Sequence, residues 1–135
     1  MRYLAIDYGN KRTGLAICDR EETIVSPLAV IPSAEAIEKV AHIVQQEGVD
    51  AVVLGLPLNM DDSEGAQAKL VRTFAAQLQA SLDIPIHFQD ERLSSFAAEE
   101  KLLPAELTRK KAKKRLDAIA AAQILEAFIE NKAQA

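Results

Sequence analysis

Residues 2–18 read RYLAIDYGNKRTGLAIC, which is two apolar runs joined by a short polar turn. The first run covers 2–7 and stops at Asp7, and the second covers 13–18. Glycine and asparagine between them favour a tight turn, so this stretch predicts two antiparallel strands. A third apolar run at 24–31 follows another polar turn. Together the three runs predict a meander of antiparallel strands.

The spacing of apolar residues changes after this meander. Between Ser33 and Glu47 they recur every three or four residues, which predicts a helix with Ser33 as its N-cap and Gly48 at its end. The following run at 51–56, AVVLGL, is almost continuously apolar. Such a run is typical of a central parallel strand that is covered on both faces.

The rest of the chain alternates helical and extended patterns. We predict a helix over 66–81, a strand over 84–88, a helix near 94–102 and a last helix from about 113 to 130. Connections of the strand-helix-strand type return the chain parallel on the same sheet. The order therefore predicts an α/β fold, with a mixed five-stranded sheet flanked by helices. Three antiparallel strands precede the parallel crossover units, which is the layout of the ribonuclease H-like fold.

Length and composition favour one domain spanning residues 1–135. The chain has 135 residues, 49% of them hydrophobic, which suffices for one core but not for two. It has a single cysteine, Cys18, and no apolar run near the roughly 20 residues that a membrane-spanning helix needs. The N-terminus lacks the length and cleavage site of a signal peptide. We expect a cytoplasmic protein without a membrane partner, either a monomer or a weak homodimer.

Basic charge is concentrated in one segment. The formal net charge is -4, yet six of the sixteen Lys and Arg residues fall within residues 109–115. A charge run is as often a solvated surface as a binding site, but this one leads directly into the helix that carries Asp117. With only 4% aromatic residues, we expect recognition of nucleic-acid backbone or shape rather than of base sequence. The predicted nucleic-acid contacts are Lys11, Arg12, Arg92, Arg109, Lys110, Lys113 and Lys114.

Two acidic residues stand in apolar surroundings. Asp7 ends an apolar strand, where an unpaired carboxylate is costly to desolvate. Asp117 shares a helix face with Ile124 and Phe128. The alternatives are that Asp7 caps the following turn, and that Asp117 pairs with a lysine near its helix start, Lys113 or Lys114.

A third acidic group lies where the fifth predicted strand ends, at Asp90 and Glu91. Sites in sheets with crossover helices gather beyond the carboxyl ends of strands. Alternation places the two carboxylates on opposite faces, with one inward and the other towards solvent or Arg92. Periodicity does not decide which of them faces the site.

These acidic positions predict a hard-metal site. Oxygen ligands without a Cys/His cluster suit Mg²⁺ or Mn²⁺ rather than Zn²⁺. Two such ions about 4 Å apart can activate water and stabilise the leaving oxygen of a phosphodiester. We expect His42 to be surface-exposed and Cys18 to be a small core residue.

Four segments resemble the blocks of the YqgF family, in order and over nearly the whole chain. They are DYGNKRTGLA at 7–16, GLPLNMD at 55–61, DERLSS at 90–95 and DAIAAAQIL at 117–125. The resemblance implies a ribonuclease H-like fold related to Holliday junction resolvases, and a bacterial nuclease that matures the 5′ end of pre-16S ribosomal RNA.

Carried over by motif, the resemblance implies that Asp7, Glu91 and Asp117 are the catalytic and metal-binding triad. The sequence departs from the family pattern at Asp62, where a glycine is usual. Loss of that glycine makes a left-handed turn at residue 62 harder to form.

Other functions are compatible with parts of the sequence. Cleavage of branched DNA would use the same chemistry. A sugar-kinase or actin-like lobe would explain the strand-turn-strand after Asp7, but such proteins need two lobes to clamp a nucleotide. A non-catalytic RNA-binding factor would need the basic segment but not carboxylates on apolar faces.

Overall fold

The computed structural model describes residues 1–93 and 109–134, with side chains for 1–92 and 116–133. The strands and helices in chain order are β1 (Tyr3–Tyr8), β2 (Arg12–Cys18), β3 (Val25–Pro32), α1 (Ala36–Glu47), β4 (Ala51–Leu56), α2 (Ala66–Gln79), β5 (Ile86–Asp90) and α3 (Arg109–Gln134). Two 3₁₀ turns, Ser33–Glu35 and Glu91–Leu93, follow β3 and β5. The helix predicted near 94–102 lies outside the described residues.

The five strands form one sheet in the order β3-β2-β1-β4-β5. The β1–β2 and β2–β3 pairs are antiparallel, whereas β1–β4 and β4–β5 are parallel. This confirms the predicted α/β fold, with a meander followed by crossover units. It also makes β1 the central strand, so that Asp7 lies in mid-sheet.

Helices cover both faces of the sheet. On one face, Leu4 and Ile6 of β1 pack with Val40 of α1 and Val71 of α2. The other face is covered by α3, against which the strands present mainly small side chains. These strand residues are Tyr3, Ala5, Ala16, Cys18, Ala51 and Val53. Because these side chains are small, α3 can approach the sheet closely.

Several local expectations are confirmed. All six residues of β4 are buried, as expected of a strand covered on both faces. Gly48 ends α1 in the left-handed conformation, with φ 63°. Cys18 is buried and His42 is exposed. Within the described ranges, no helix is both long and apolar enough to cross a membrane.

The expected N-cap role of Ser33 is wrong. Its hydroxyl donates to the carbonyl of Gly9 at 2.6 Å and lies 2.8 Å from the hydroxyl of Thr13. These bonds tie Ser33 to the β1–β2 turn, so residues 33–35 form a 3₁₀ turn and α1 begins at Ala36.

Strand β5 lies two residues later than predicted. The amide of Val52 donates to the carbonyl of Pro85, and the ladder pairs Val52 with Ile86 and Leu56 with Asp90. Pairing with β4 thus sets where β5 begins and ends, and the pattern of apolar residues alone places those ends wrongly. The shift brings Glu91 to the position directly after the strand end.

Candidate active site

Asp7 lies between two glycines on the face of the sheet that α3 covers. Gly14 of β2 is its direct partner across the antiparallel pair. On the other side, β4 runs parallel with Leu54 opposite Ile6, which places Gly55 beside Asp7. Neither neighbour has a side chain, so the space on both sides of the Asp7 side chain is available to groups from other elements. The turn that follows is closed by a backbone hydrogen bond from the Gly9 amide to the Arg12 carbonyl.

Gly14 lets the backbone of α3 reach the sheet. A Cβ on this residue would overlap with the carbonyl oxygen of Asp117 and lie 2.9 Å from the amide nitrogen of Ala118. Only glycine fits such a close approach of two backbones. Asp117 is therefore fixed one strand away from Asp7 and on the same face of the sheet.

Gly55 makes room for the side chain of Glu91. A Cβ on Gly55 would lie 2.6 Å from Glu91 Oε1 and 2.6 Å from Ile124 Cδ1. The carboxyl group of Glu91 therefore lies over β4, between that strand and α3. This placement brings it next to Asp7.

Asp7 and Glu91 form a carboxyl pair joined by a hydrogen bond. Burial of Glu91, followed by that bond and by the charge of Asp7, raises the pKa of Glu91 to about 9. Glu91 thus keeps its proton at neutral pH and donates it to Asp7, because burial disfavours its charged form and the neighbouring Asp7 carboxylate would repel a second negative charge. Such perturbed carboxyl pairs are typical of functional sites.

Asp117 is paired with Arg12 from the β1–β2 hairpin. Arg12 Nε donates to Asp117 Oδ2 at 3.1 Å, and the two side chains are 37% and 30% exposed. Further along α3, Ala121 and Ile124 are buried, so the apolar face predicted for this helix is present. The alternative partners Lys113 and Lys114 lie outside the described side chains.

Asp90 points away from this pair and binds Arg92. The guanidinium donates to both Asp90 carboxylate oxygens, to Asp62 at 2.8 Å and to the carbonyl of Asn59 at 2.8 Å. These bonds hold the loop between β4 and α2 against the end of β5. They also lower the pKa of Asp90, chiefly through its hydrogen bonds with Arg92.

Asp62 adopts the left-handed conformation, with φ 69°. The turn therefore forms even though the usual glycine is missing. Aspartate tolerates this region better than most residues. The bond from Arg92 to its carboxylate further stabilises the turn.

The predicted site residues are thus partly brought together. Asp7 and Glu91 are in contact, and Asp117 lies on the same face with Arg12 attached. Lys11 is exposed on the hairpin. The side chains of Arg109, Lys110, Lys113 and Lys114 lie outside the described residues, although the backbone there is helical.

The donors present fit a hard divalent cation. Asp7 and Glu91 offer carboxyl oxygens, and the proton between them is what a cation would displace. In the portion of the chain that is described, no three acidic, histidine or cysteine side chains converge as they would on one bound ion. Among the described side chains on this face of the sheet, Asp117 is the candidate for a third ligand, once its carboxylate turns towards Asp7 and Glu91.

Gly14 and Gly55 are functional positions that the sequence pattern did not single out. Both interrupt otherwise apolar strands. An isolated glycine inside a strand often marks the close approach of another backbone or group. The two isolated glycines are visible in the amino-acid sequence, and both lie beside Asp7 in the structure.

Known proteins resemble this chain in sequence and in fold. A protein of Maridesulfovibrio salexigens named "Putative pre-16S rRNA nuclease" is 42% identical over 132 residues, covering 96% of this chain and 98% of the relative. Among solved structures, T. thermophilus RuvC in complex with a Holliday junction substrate matches with a TM-score of 0.61 at 18% identity. That match covers 100% of this chain and 98% of the other.

A second solved structure, the Fowlpox virus resolvase with Holliday junction DNA, matches with a TM-score of 0.59 at 15% identity, over 97% of this chain and 98% of the other. At such identities these structures show a common fold. The family described as "RuvX: Holliday junction resolvase" matches residues 1–131. With this match over nearly its whole length, and with a relative at 42% identity, the chain belongs to the RuvX family.

Proposed function

We propose that the protein is a metal-dependent nuclease that hydrolyses phosphodiester bonds and processes the 5′ end of pre-16S ribosomal RNA. The observation that carries this proposal is the hydrogen-bonded pair of carboxyl groups formed by Asp7 and Glu91 at the end of the central strands. Asp117, on the same face of the sheet, completes the set of acidic residues.

In this proposal, Asp7, Glu91 and Asp117 hold Mg²⁺ or Mn²⁺, with two ions in the fully loaded site. Such ions supply positive charge against the charge that develops on the scissile phosphate. Glu91 loses its proton when the site is loaded, since a carboxylate binds a cation only when ionised.

The surroundings of the carboxylates suit a phosphodiester. Gly14 and Gly55 place no side chains beside Asp7, which lets Asp117 and Glu91 lie close to the sheet and gathers carboxyl groups where a scissile phosphate would bind. Arg12 and Lys11 on the hairpin place positive charge near the strand ends, and Arg92, although bound to Asp90 and Asp62, is a further proposed contact. The basic residues Arg109, Lys110, Lys113 and Lys114 precede Asp117 in the sequence and are proposed as further phosphate contacts. Contacts of this kind position a nucleic acid without reading its sequence.

Pre-ribosomal RNA is the proposed substrate because of the name of the 42% identical relative. Such a substrate is consistent with a cytoplasmic location. A four-way DNA junction is the second candidate, favoured by the description of the family.

The test is to incubate the protein with a labelled pre-16S rRNA 5′ fragment and with a four-way DNA junction. Each substrate is combined with Mn²⁺, with Mg²⁺ or with a chelator, and each reaction is repeated with Asp7→Asn. We expect metal-dependent cleavage of the RNA that Asp7→Asn abolishes. Cleavage of the junction alone would favour the second candidate. Binding of both substrates without cleavage would contradict the nuclease and indicate a non-catalytic RNA-binding factor.

A further inference from the structure

We propose that Arg12 is a latch on the third metal ligand. In the free protein, Arg12 forms an ion pair with Asp117. When nucleic acid binds, one of its phosphates replaces Asp117 as the partner of Arg12, and Asp117 turns towards the cation. Arg12 is thus a positioning residue that couples metal binding to substrate binding. This inference rests on the proposed function, because it assigns an order to the assembly of the same site.

The pairing itself uses only part of the Arg12 guanidinium. Nε bonds to Asp117 Oδ2 at 3.1 Å, and this is the one side-chain interaction that Arg12 makes within the described ranges. Its two Nη groups remain able to donate to another acceptor. With the Arg12 side chain 37% exposed, a phosphate can reach those groups while the bond to Asp117 still exists.

The backbones at both ends of the pair are fixed. On the hairpin, the Gly9 amide donates to the Arg12 carbonyl at 3.0 Å, and Ser33 bonds to the carbonyls of Gly9 and Lys11 at 2.6 and 2.9 Å. At the other end, the backbone of Asp117 rests on Gly14 with no space between them. The exchange can therefore proceed by rotation of the Arg12 and Asp117 side chains while both backbones stay in place.

The exchange also balances charge. In the free protein, the charge of Arg12 neutralises that of Asp117. With substrate, the guanidinium pairs with phosphate, for which its fork of donors is well suited, and Asp117 pairs with the cation. An ion pair this exposed is weak, so it can be exchanged rather than locked.

The exchange should change the affinity for the metal ion because it changes the number of side chains that can bind it. As the side chains stand, no three metal-binding groups converge within the described part of the chain. Release of Asp117 supplies the missing group, so nucleic acid should raise metal affinity. By linkage, metal should raise nucleic-acid affinity by the same factor.

The test is a double-mutant cycle on Mn²⁺ affinity, measured by isothermal titration calorimetry without nucleic acid. The proteins are wild type, Arg12→Ala, Asp117→Asn and the double variant, each checked for folding by circular dichroism. We expect Arg12→Ala to bind Mn²⁺ about two- to fivefold more tightly, the range for losing a weak ion pair. In the Asp117→Asn background, the same change should give a smaller gain or none.

Two further variants control for charge and packing. Lys11→Ala removes an equal charge from the same hairpin, and its effect on Mn²⁺ affinity should not depend on Asp117. Arg12→Met keeps the aliphatic stem and should reproduce the gain of Arg12→Ala.

An equal gain from Arg12→Ala in both backgrounds would show a general charge effect and overturn the latch. No gain in either background would overturn it as well. These outcomes are separate from the proposed function, because Mn²⁺ binding is measured without cleavage. A coupled Mn²⁺ site in a protein that cuts neither substrate would keep the latch and refute the nuclease.

Discussion

Replacing Gly14 with alanine should move Asp117 away from Asp7 and Glu91. The added Cβ would overlap with the carbonyl oxygen of Asp117 and lie 2.9 Å from the Ala118 nitrogen. Both contacts are with backbone, so no side-chain rotation can relieve them. Helix α3 must move away from the sheet by at least about 1 Å, taking Asp117 with it.

Two magnitudes follow from that displacement. Overpacking of this kind costs about 1–3 kcal/mol in the free energy of unfolding. A displacement of about 1 Å at a catalytic group lowers the rate about a hundredfold. We therefore expect a folded but destabilised Gly14→Ala protein with a large loss of cleavage activity.

The assay combines urea unfolding with single-turnover cleavage of the labelled RNA. Gly65→Ala is the matched control, because its Cβ would meet Asn59 at an ordinary 3.5 Å and its φ is -85°. That control should change stability and cleavage little. Wild-type stability and wild-type cleavage in Gly14→Ala would refute the reasoning that contact between α3 and Gly14 positions Asp117.

Three further predictions concern other parts of the molecule. Because the pKa of Glu91 is raised, the folded protein binds one more proton than the unfolded chain between about pH 4.5 and 9. The free energy of unfolding should therefore fall as the pH rises through this range, by at most about 1.4 kcal/mol per pH unit. Urea unfolding at pH 5, 7 and 9 should show a flatter profile for Glu91→Gln, and parallel profiles would contradict the raised pKa. Arg92→Ala should speed limited proteolysis of the loop at 57–65, because its bonds to Asp62 and Asp90 are lost; an unchanged cleavage rate would argue against this anchoring. Gly48→Ala should lower the free energy of unfolding by about 1 kcal/mol because φ is 63°, and an unchanged urea midpoint would contradict that.

Much of the fold can be predicted because its signals are local. The change from strand to helix spacing after residue 32 and the continuous apolar run of β4 both follow from which faces are buried. Errors arise where a distant partner decides. The local pattern predicts Ser33 as a helix cap, but its hydroxyl binds Gly9 24 positions earlier in the chain. The same kind of pattern places β5 two residues early, because the register of that strand depends on β4.

The site shows the same division. The apolar surroundings of Asp7 and Asp117 are visible in the sequence. The sequence does not show whether Asp90 or Glu91 faces the site. The two residues point to opposite faces of the sheet, and which face each one takes depends on the register of β5 against β4. The structure directs Glu91 towards Asp7, and Asp90 towards Arg92. The bond from Arg12 to Asp117 spans 105 positions, and no local pattern could reveal it.

The central claim is that Asp7, Glu91 and Asp117 act together as the acidic centre of a nuclease. Its most direct test is the rate of Mn²⁺-dependent RNA cleavage by Asp7→Asn, Glu91→Gln and Asp117→Asn, with the exposed Asp83→Asn as the control. We predict that each of the first three lowers the rate by more than about a hundredfold, while Asp83→Asn cleaves like wild type. Wild-type cleavage by any of the three would contradict the claim.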